Sequence, residues 1–175
     1  DAIDKYLNII RQAGLNPVVV DVRCFATRNA LELRHDLTQI DTPIVIVEFG
    51  VFENYILILH QDSPYVSPIY INKKDRLSLL EPETSEELLK KIIGRFAMQI
   101  SQAISSYQSK YKIQSINSLL LSSTMPVVDR VITYFTESMP DIKVEVFDPL
   151  MNVKIPENLK EKATAELNSS IFSSA

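Results

Sequence analysis

Two apolar stretches, each interrupted by a short polar or glycine-bearing segment, constrain this chain most. Ile44–Leu59 reads IVIVEFGVFENYILIL, and Ile116–Phe135 reads INSLLLSSTMPVVDRVITYF. Runs of β-branched and leucine residues with no polar alternation suit strands buried on both faces rather than strands with one wet face. The first run turns back as a hairpin around Gly50–Asn54. The second passes through serines and a proline into helical spacing.

At 175 residues with 46% hydrophobic content, the chain fits one domain of ordinary size with a closed core. Eighteen basic residues against twenty-two acidic ones give a formal charge of −4. No basic block is long enough to follow a phosphate backbone, so nucleic acid is not an expected partner. A single cysteine, Cys24, excludes an internal disulfide and a multi-cysteine zinc site, and fits a reducing, cytoplasmic compartment. No apolar run reaches the roughly 18 residues of a membrane span, so direct membrane insertion is not expected. The chain opens at Asp1 without methionine and is expected to be a piece of something longer.

Along the chain, residues 2–13 carry Ile3, Leu7 and Ile10 at helical spacing, and Gly14 supplies the stop. Val18–Val22 reads as a short strand and Ala26–Leu37 as a second helix. Ile44–Phe49, Tyr55–Gln61 and Tyr65–Ile71 form an antiparallel meander, its second turn marked by Asp62-Ser63-Pro64. A long helix is expected from a Thr84–Glu87 capping box to about Lys112. Its apolar stripe is Leu88, Ile92, Phe96, Ile100, Ile104, Tyr107 and Tyr111, widened by Leu89, Ile93 and Ala97, with Gln99 on the polar side. A strand at Ile116–Leu121, a helix at Pro126–Ser138, a strand at Lys143–Phe147 and a last amphipathic helix at Glu157–Phe172 complete the order. A meander followed by right-handed α/β crossovers gives a mixed five-stranded sheet of the ribonuclease-H-like kind.

Six segments in this order resemble the PilM-like family, actin/FtsA-like proteins of type IV pilus assembly. They are AGLNPVVVDVRCFATRNAL (13–31), IVIVEFG (44–50), FAMQISQAISSYQ (96–108), INSLLLSSTMPVVDRVITYF (116–135), VEVFDPL (144–150) and SSIFSSA (169–175). The resemblance implies the C-terminal part of such a protein. Residues 1–40 would be the end of a first actin-like lobe with its linking helix, and residues 41–175 the second, ribonuclease-H-like lobe.

The resemblance also implies where a nucleotide would sit, and there the sequence departs from the family. The phosphate loop is typically Asp-x-Gly followed by a threonine-bearing turn. Here Glu48, Gly50, Glu53 and Asn54 stand at that place. Gly50 keeps a backbone that lets amides approach a phosphate, but Glu48 is longer than Asp, and Glu53 sets negative charge against an anion. The adenosine loop, usually a pair of glycines, is replaced by Ser122, Ser123 and Thr124. The plainer reading makes Glu48 a solvated strand-end residue, Gly50–Asn54 an ordinary hairpin turn, and Ser123 or Thr124 the cap of the following helix. These seven residues thus mark a degenerate nucleotide cleft; no catalytic or metal-binding residue is assigned and no cofactor is expected, with ATP–Mg²⁺ as the alternative. His35 and His60 have no partners at metal spacing, and Cys24 reads as a packed thiol.

The implied function is a non-enzymatic scaffold, peripheral to the inner membrane on its cytoplasmic side. In the family, the partner is the cytoplasmic tail of a single-pass PilN-like membrane protein within the pilus assembly complex. The alternatives are an ATP-binding actin-like switch and the cytoplasmic actin-like domain of a type II secretion platform protein.

Overall fold

The computed structural model describes residues 2–18, 22–32, 42–50, 54–60, 63–113, 115–123 and 128–147. Two helices lead, α1 (Ala2–Gln12) and α2 (Arg23–Glu32). A meander of β1 (Ile44–Phe49), β2 (Asn54–His60) and β3 (Ser63–Pro68) follows, then helices α3 (Lys73–Leu80) and α4 (Glu86–Tyr111). The last described elements are β4 (Ser118–Ser123), α5 (Val128–Ser138) and β5 (Lys143–Val146). One sheet has the order β3-β2-β1-β4-β5, antiparallel within the meander and parallel from β1 to β4 and from β4 to β5. That is the mixed five-stranded sheet of a ribonuclease-H-like, actin-like lobe, with the hairpin strands on one side and the crossover strands on the other.

Alternation along β1 divides the core in two. Val45, Val47 and Phe49 face the larger cluster with Ile93, Phe96 and Ile100 of α4 and Phe135 of α5. Ile46 faces the opposite cluster with Leu57, Leu59, Phe147 and Leu31 of α2. Both sheet faces therefore bury apolar side chains, which is why β1 and β2 read as unbroken apolar runs. At the centre of the larger cluster three rings meet edge to face. Phe49 and Phe96 lie 4.6 Å apart, Phe96 and Phe135 5.7 Å, and Phe49 and Phe135 6.0 Å.

Several boundaries differ from the sequence reading, each for a local reason. Helix α4 is capped by Ser85, whose hydroxyl accepts from the Leu88 amide at 3.4 Å, not by Thr84. The Thr84 hydroxyl donates instead to the Ser78 carbonyl, closing the preceding turn. Arg130 of α5 braces this corner, donating to the Pro82 and Thr84 carbonyls at 3.2 and 2.8 Å. The stripe of α4 holds from Leu89 to Tyr107, but Tyr111 is exposed and stacks on Tyr107 at 4.6 Å. Burial and the neighbouring Tyr111 raise the pKa of the Tyr107 phenol.

Helix α3 has no counterpart in the sequence reading. Asn72 caps it, accepting from the Asp75 amide at 2.8 Å, and Asp75 pairs with Arg95 of α4. Gln99, on the polar side of α4, has a structural part of its own. Its amide clamps both backbone groups of Tyr70, donating to the carbonyl and accepting from the N–H at 2.9 Å each. One side chain thus takes the place of a neighbouring strand for this connection. Helix α2 starts at Arg23, three residues before the expected Ala26.

The two sheet edges differ. Ile69 donates to the Asn54 carbonyl, which continues the β2–β3 ladder and turns the peptide groups of Ser63, Tyr65 and Ser67 inward. The outward positions are Pro64, Val66 and Pro68, and two of these three lack an N–H. Proline blunts this edge against further pairing. No described helix is long and apolar enough to cross a membrane. Residues 19–21 of the expected Val18–Val22 strand, the end of the second helix, His35, the turn at Asp62, Pro126, and the last helix with the SSIFSSA tail lie outside the described residues.

Candidate functional site

The two segments that resemble nucleotide loops meet at the same end of the sheet. Parallel pairing of β1 with β4 sets Glu48 beside Ser122 and Phe49 beside Ser123, while the hairpin sets Glu48 beside Tyr55 and Phe49 beside Asn54. The tertiary structure therefore gathers Glu48, Gly50, Asn54, Ser122 and Ser123 from segments about seventy residues apart, as Ser123 and Phe49 show by a hydrogen bond spanning 74 positions. Glu53 and Thr124 lie outside the described residues.

Two of the expected environments are corrected. Glu48 is not solvated at the strand end: it is only 3% exposed. It shares the sheet face of Ile46, which α2 covers, and it has neighbouring strands on both sides. Ser122 and Ser123 are not in a loop: both belong to β4, Ser122 is buried, and the Ser123 hydroxyl donates to the Phe49 carbonyl at 3.0 Å. Here the strand runs two residues beyond the expected Leu121, because β1 still offers a ladder partner.

Tyr55, Glu48 and Ser122 consequently sit side by side on β2, β1 and β4 on the face beneath α2. A burial of this kind requires hydrogen-bonding partners. One of them ties the layers together, because the Tyr55 phenol lies 3.1 Å from the Thr27 hydroxyl of α2. Cys24 packs against the same cluster as a partly buried thiol.

The decisive local feature is at Gly50, where the family's loop would lend a backbone amide to a phosphate. The Gly50 N–H donates to Asn54 Oδ1 at 3.0 Å in a buried bond. The hairpin thus closes on itself through the Asn54 side chain, and sequence reasoning gave Asn54 no such part. The Asn at the fourth position after a strand-ending glycine was the available signal. Asn54→Ala is expected to strand this buried donor and to cost about 1–3 kcal/mol, read as a lowered urea midpoint with an unchanged slope. A midpoint equal to that of the parent would remove the bond from the stability account.

Among the described residues no group of three or more His, Cys, Asp or Glu side chains is arranged to hold a metal ion. A cavity of about 210 Å³ lies elsewhere, between the Tyr70–Asp75 connection and α4. Its polar side chains Asn72, Asp75, Arg95 and Gln99 are engaged with one another or with backbone.

No family model matches this sequence, and no curated protein matches it. Among solved structures, a chain of a PilM-PilN type IV pilus biogenesis complex is similar to it, with a TM-score of 0.58 and 22% sequence identity. The alignment covers 95% of this chain and 55% of that one, so this chain spans about half the length of its structural neighbour. A likeness at this identity establishes the fold: a mixed α/β lobe with the sheet order and crossovers described above.

Proposed function

We propose that this chain is the second-lobe portion of a PilM-like scaffold serving a type IV pilus or a related inner-membrane assembly complex. It acts through its surfaces, without nucleotide chemistry, on the cytoplasmic side of the membrane. The reading is supported by a fold likeness that runs over nearly the whole chain to one member of a pilus biogenesis complex, and by the six ordered segments of the sequence. The observation that carries the scaffold over the switch is the Gly50 amide, bonded to Asn54 and so not presented to a phosphate.

Residues 1–40 fit the end of a preceding lobe. Helix α1 is amphipathic, yet Ile3, Tyr6 and Ile9 are 50%, 71% and 63% exposed, as suits a helix whose packing surface is supplied by a further part of a longer protein. The partner of the complete protein is the short cytoplasmic tail of a single-pass PilN-like membrane protein, taken up in an extended or groove-bound form. Because that tail is expected to engage mainly the first lobe, the 175-residue chain should bind it weakly or not at all.

Titration of a fluorescent tail peptide against the complete protein and against this chain, each with and without ATP–Mg²⁺, tests the reading. Saturable binding by the complete protein, equal in both conditions, is expected. A melting scan adds a second arm, since millimolar ATP at a site of about 1 µM affinity would add about 4 kcal/mol of stability. No shift is expected. Binding of the tail only with ATP, or a clear ATP-dependent rise in melting temperature, would replace the scaffold by the ATP-binding switch.

A further inference from the structure

Among the described residues, the second sheet edge, along β5, carries no further strand. In β5, Lys143 donates to the Asn117 carbonyl and Phe147 to the Leu121 carbonyl. In a parallel ladder this turns the peptide groups of Lys143, Glu145 and Phe147 toward β4 and those of Val144 and Val146 away from it. Neither outward residue is proline, so both keep an N–H and a C=O along the edge. Among the described residues no partner meets them. Val146 is 53% exposed, an apolar side chain at the rim of the sheet.

The side chains along this strand are self-complementary. Suppose a second copy lies antiparallel with its two-fold axis at Val144. The two Val144 residues then exchange both backbone hydrogen bonds, and each Val146 N–H reaches the other copy's Ile142 carbonyl. Residues equidistant from the axis fall opposite one another on the same face. Lys143 of one copy therefore faces Glu145 of the other, twice, and Val146 faces Ile142, twice. Within one chain Lys143 Nζ and Glu145 Oε1 are 2.9 Å apart on an exposed face, 71% and 48% accessible, so both charges are already held at the edge. Moving the axis by one residue to Glu145 would set the two glutamates against each other. Charge thus selects the register centred on Val144.

The geometry points to a homodimer made by antiparallel pairing of two β5 edges about Val144, independent of the pilus reading above. Such an isologous contact closes after two copies, because among the described residues β5 offers one edge only and the other sheet edge is blunted by Pro64 and Pro68. The contact is short, so the association belongs among the weak, reversible ones and grows with concentration.

Sedimentation of the 175-residue chain over a concentration series, with charge variants, tests it. The parent is expected to move reversibly from monomer to dimer as concentration rises. K143E and E145K each place like charges across the axis, and each is expected to stay monomeric at concentrations where the parent dimerises. An equimolar mixture of the two variants restores opposite charges at both positions, and only between unlike copies, so it is expected to recover the dimer. This recovery separates the contact between copies from the Lys143–Glu145 pair within a copy, which neither variant retains. Both positions are exposed, and melting temperatures near that of the parent will show that the fold is kept. A parent that stays monomeric throughout, single variants that dimerise like the parent, or a mixture that stays monomeric would each overturn the proposal.

Discussion

Replacing Phe96 by alanine is expected to lower the unfolding free energy by about 3–5 kcal/mol, the cost of a large core truncation that leaves a cavity. Phe96 is 1% exposed and touches both other rings of the central trio, Phe49 from β1 and Phe135 from α5. Its removal takes away burial and two edge-to-face contacts at the point where α4, α5 and the sheet converge. Met98, two positions further along the same helix, is 61% exposed, and Met98→Ala should stay within about half a kcal/mol of the parent. Urea titrations of the two variants beside the parent decide the matter. Comparable small losses at both positions would mean that α4 does not cover the sheet with the face described.

On the opposite side of the sheet, Leu31→Ala should cost about 2–5 kcal/mol. Leu31 is fully buried and is the α2 residue deepest in the cluster of Ile46, Leu57, Leu59 and Phe147. The Thr27 contact with Tyr55 belongs to the same docking. If α2 frays independently of the sheet, the variant will melt like the parent. If α2 is part of the cooperative unit, the whole transition moves, and hydrogen exchange will quicken across β1 and β2 as well as in α2.

The sheet was largely legible in the residues. Ile44–Phe49 matches the observed β1 to the residue, and the α4 stripe from Leu89 to Tyr107 predicts the helix that covers the sheet. Such elements announce themselves because burial requires apolar side chains at regular intervals, and intervals are visible in a sequence. Helix α3 was not legible. In Lys73–Leu80 only Asp75 and Leu79 are buried, so no apolar period marks the helix. It is held by the Asn72 cap and by the Asp75 pair with Arg95, twenty residues away.

The site divides in the same way. That Gly50 ends β1 and that Ser122 follows a buried apolar run could be read directly, and the order of segments pointed to two loops at one end of a sheet. Whether those loops are open could not be read. The Asn54 side chain that takes the Gly50 amide is a turn-forming residue in the sequence and a buried acceptor only once the hairpin has closed. Glu48 reads as solvated because carboxylates usually are, and it is buried because β2, β4 and the layer with α2 all arrive at the same position.

By itself, the sequence determined the class of this protein: continuous apolar strands and one broad-striped helix leave little besides a mixed sheet covered on both faces. Local patterning is enough for that, because hydrophobic burial depends on spacing alone. Tertiary structure decided what each polar group does. Gln99 became a clamp on Tyr70, Glu48 and Ser122 neighbours inside a layer, and Val144 and Val146 residues whose peptide groups turn away from β4. Hydrogen bonds require a partner at a set distance and direction, and for these residues the partner comes from another strand or another helix. Such partners exist only after the chain has folded.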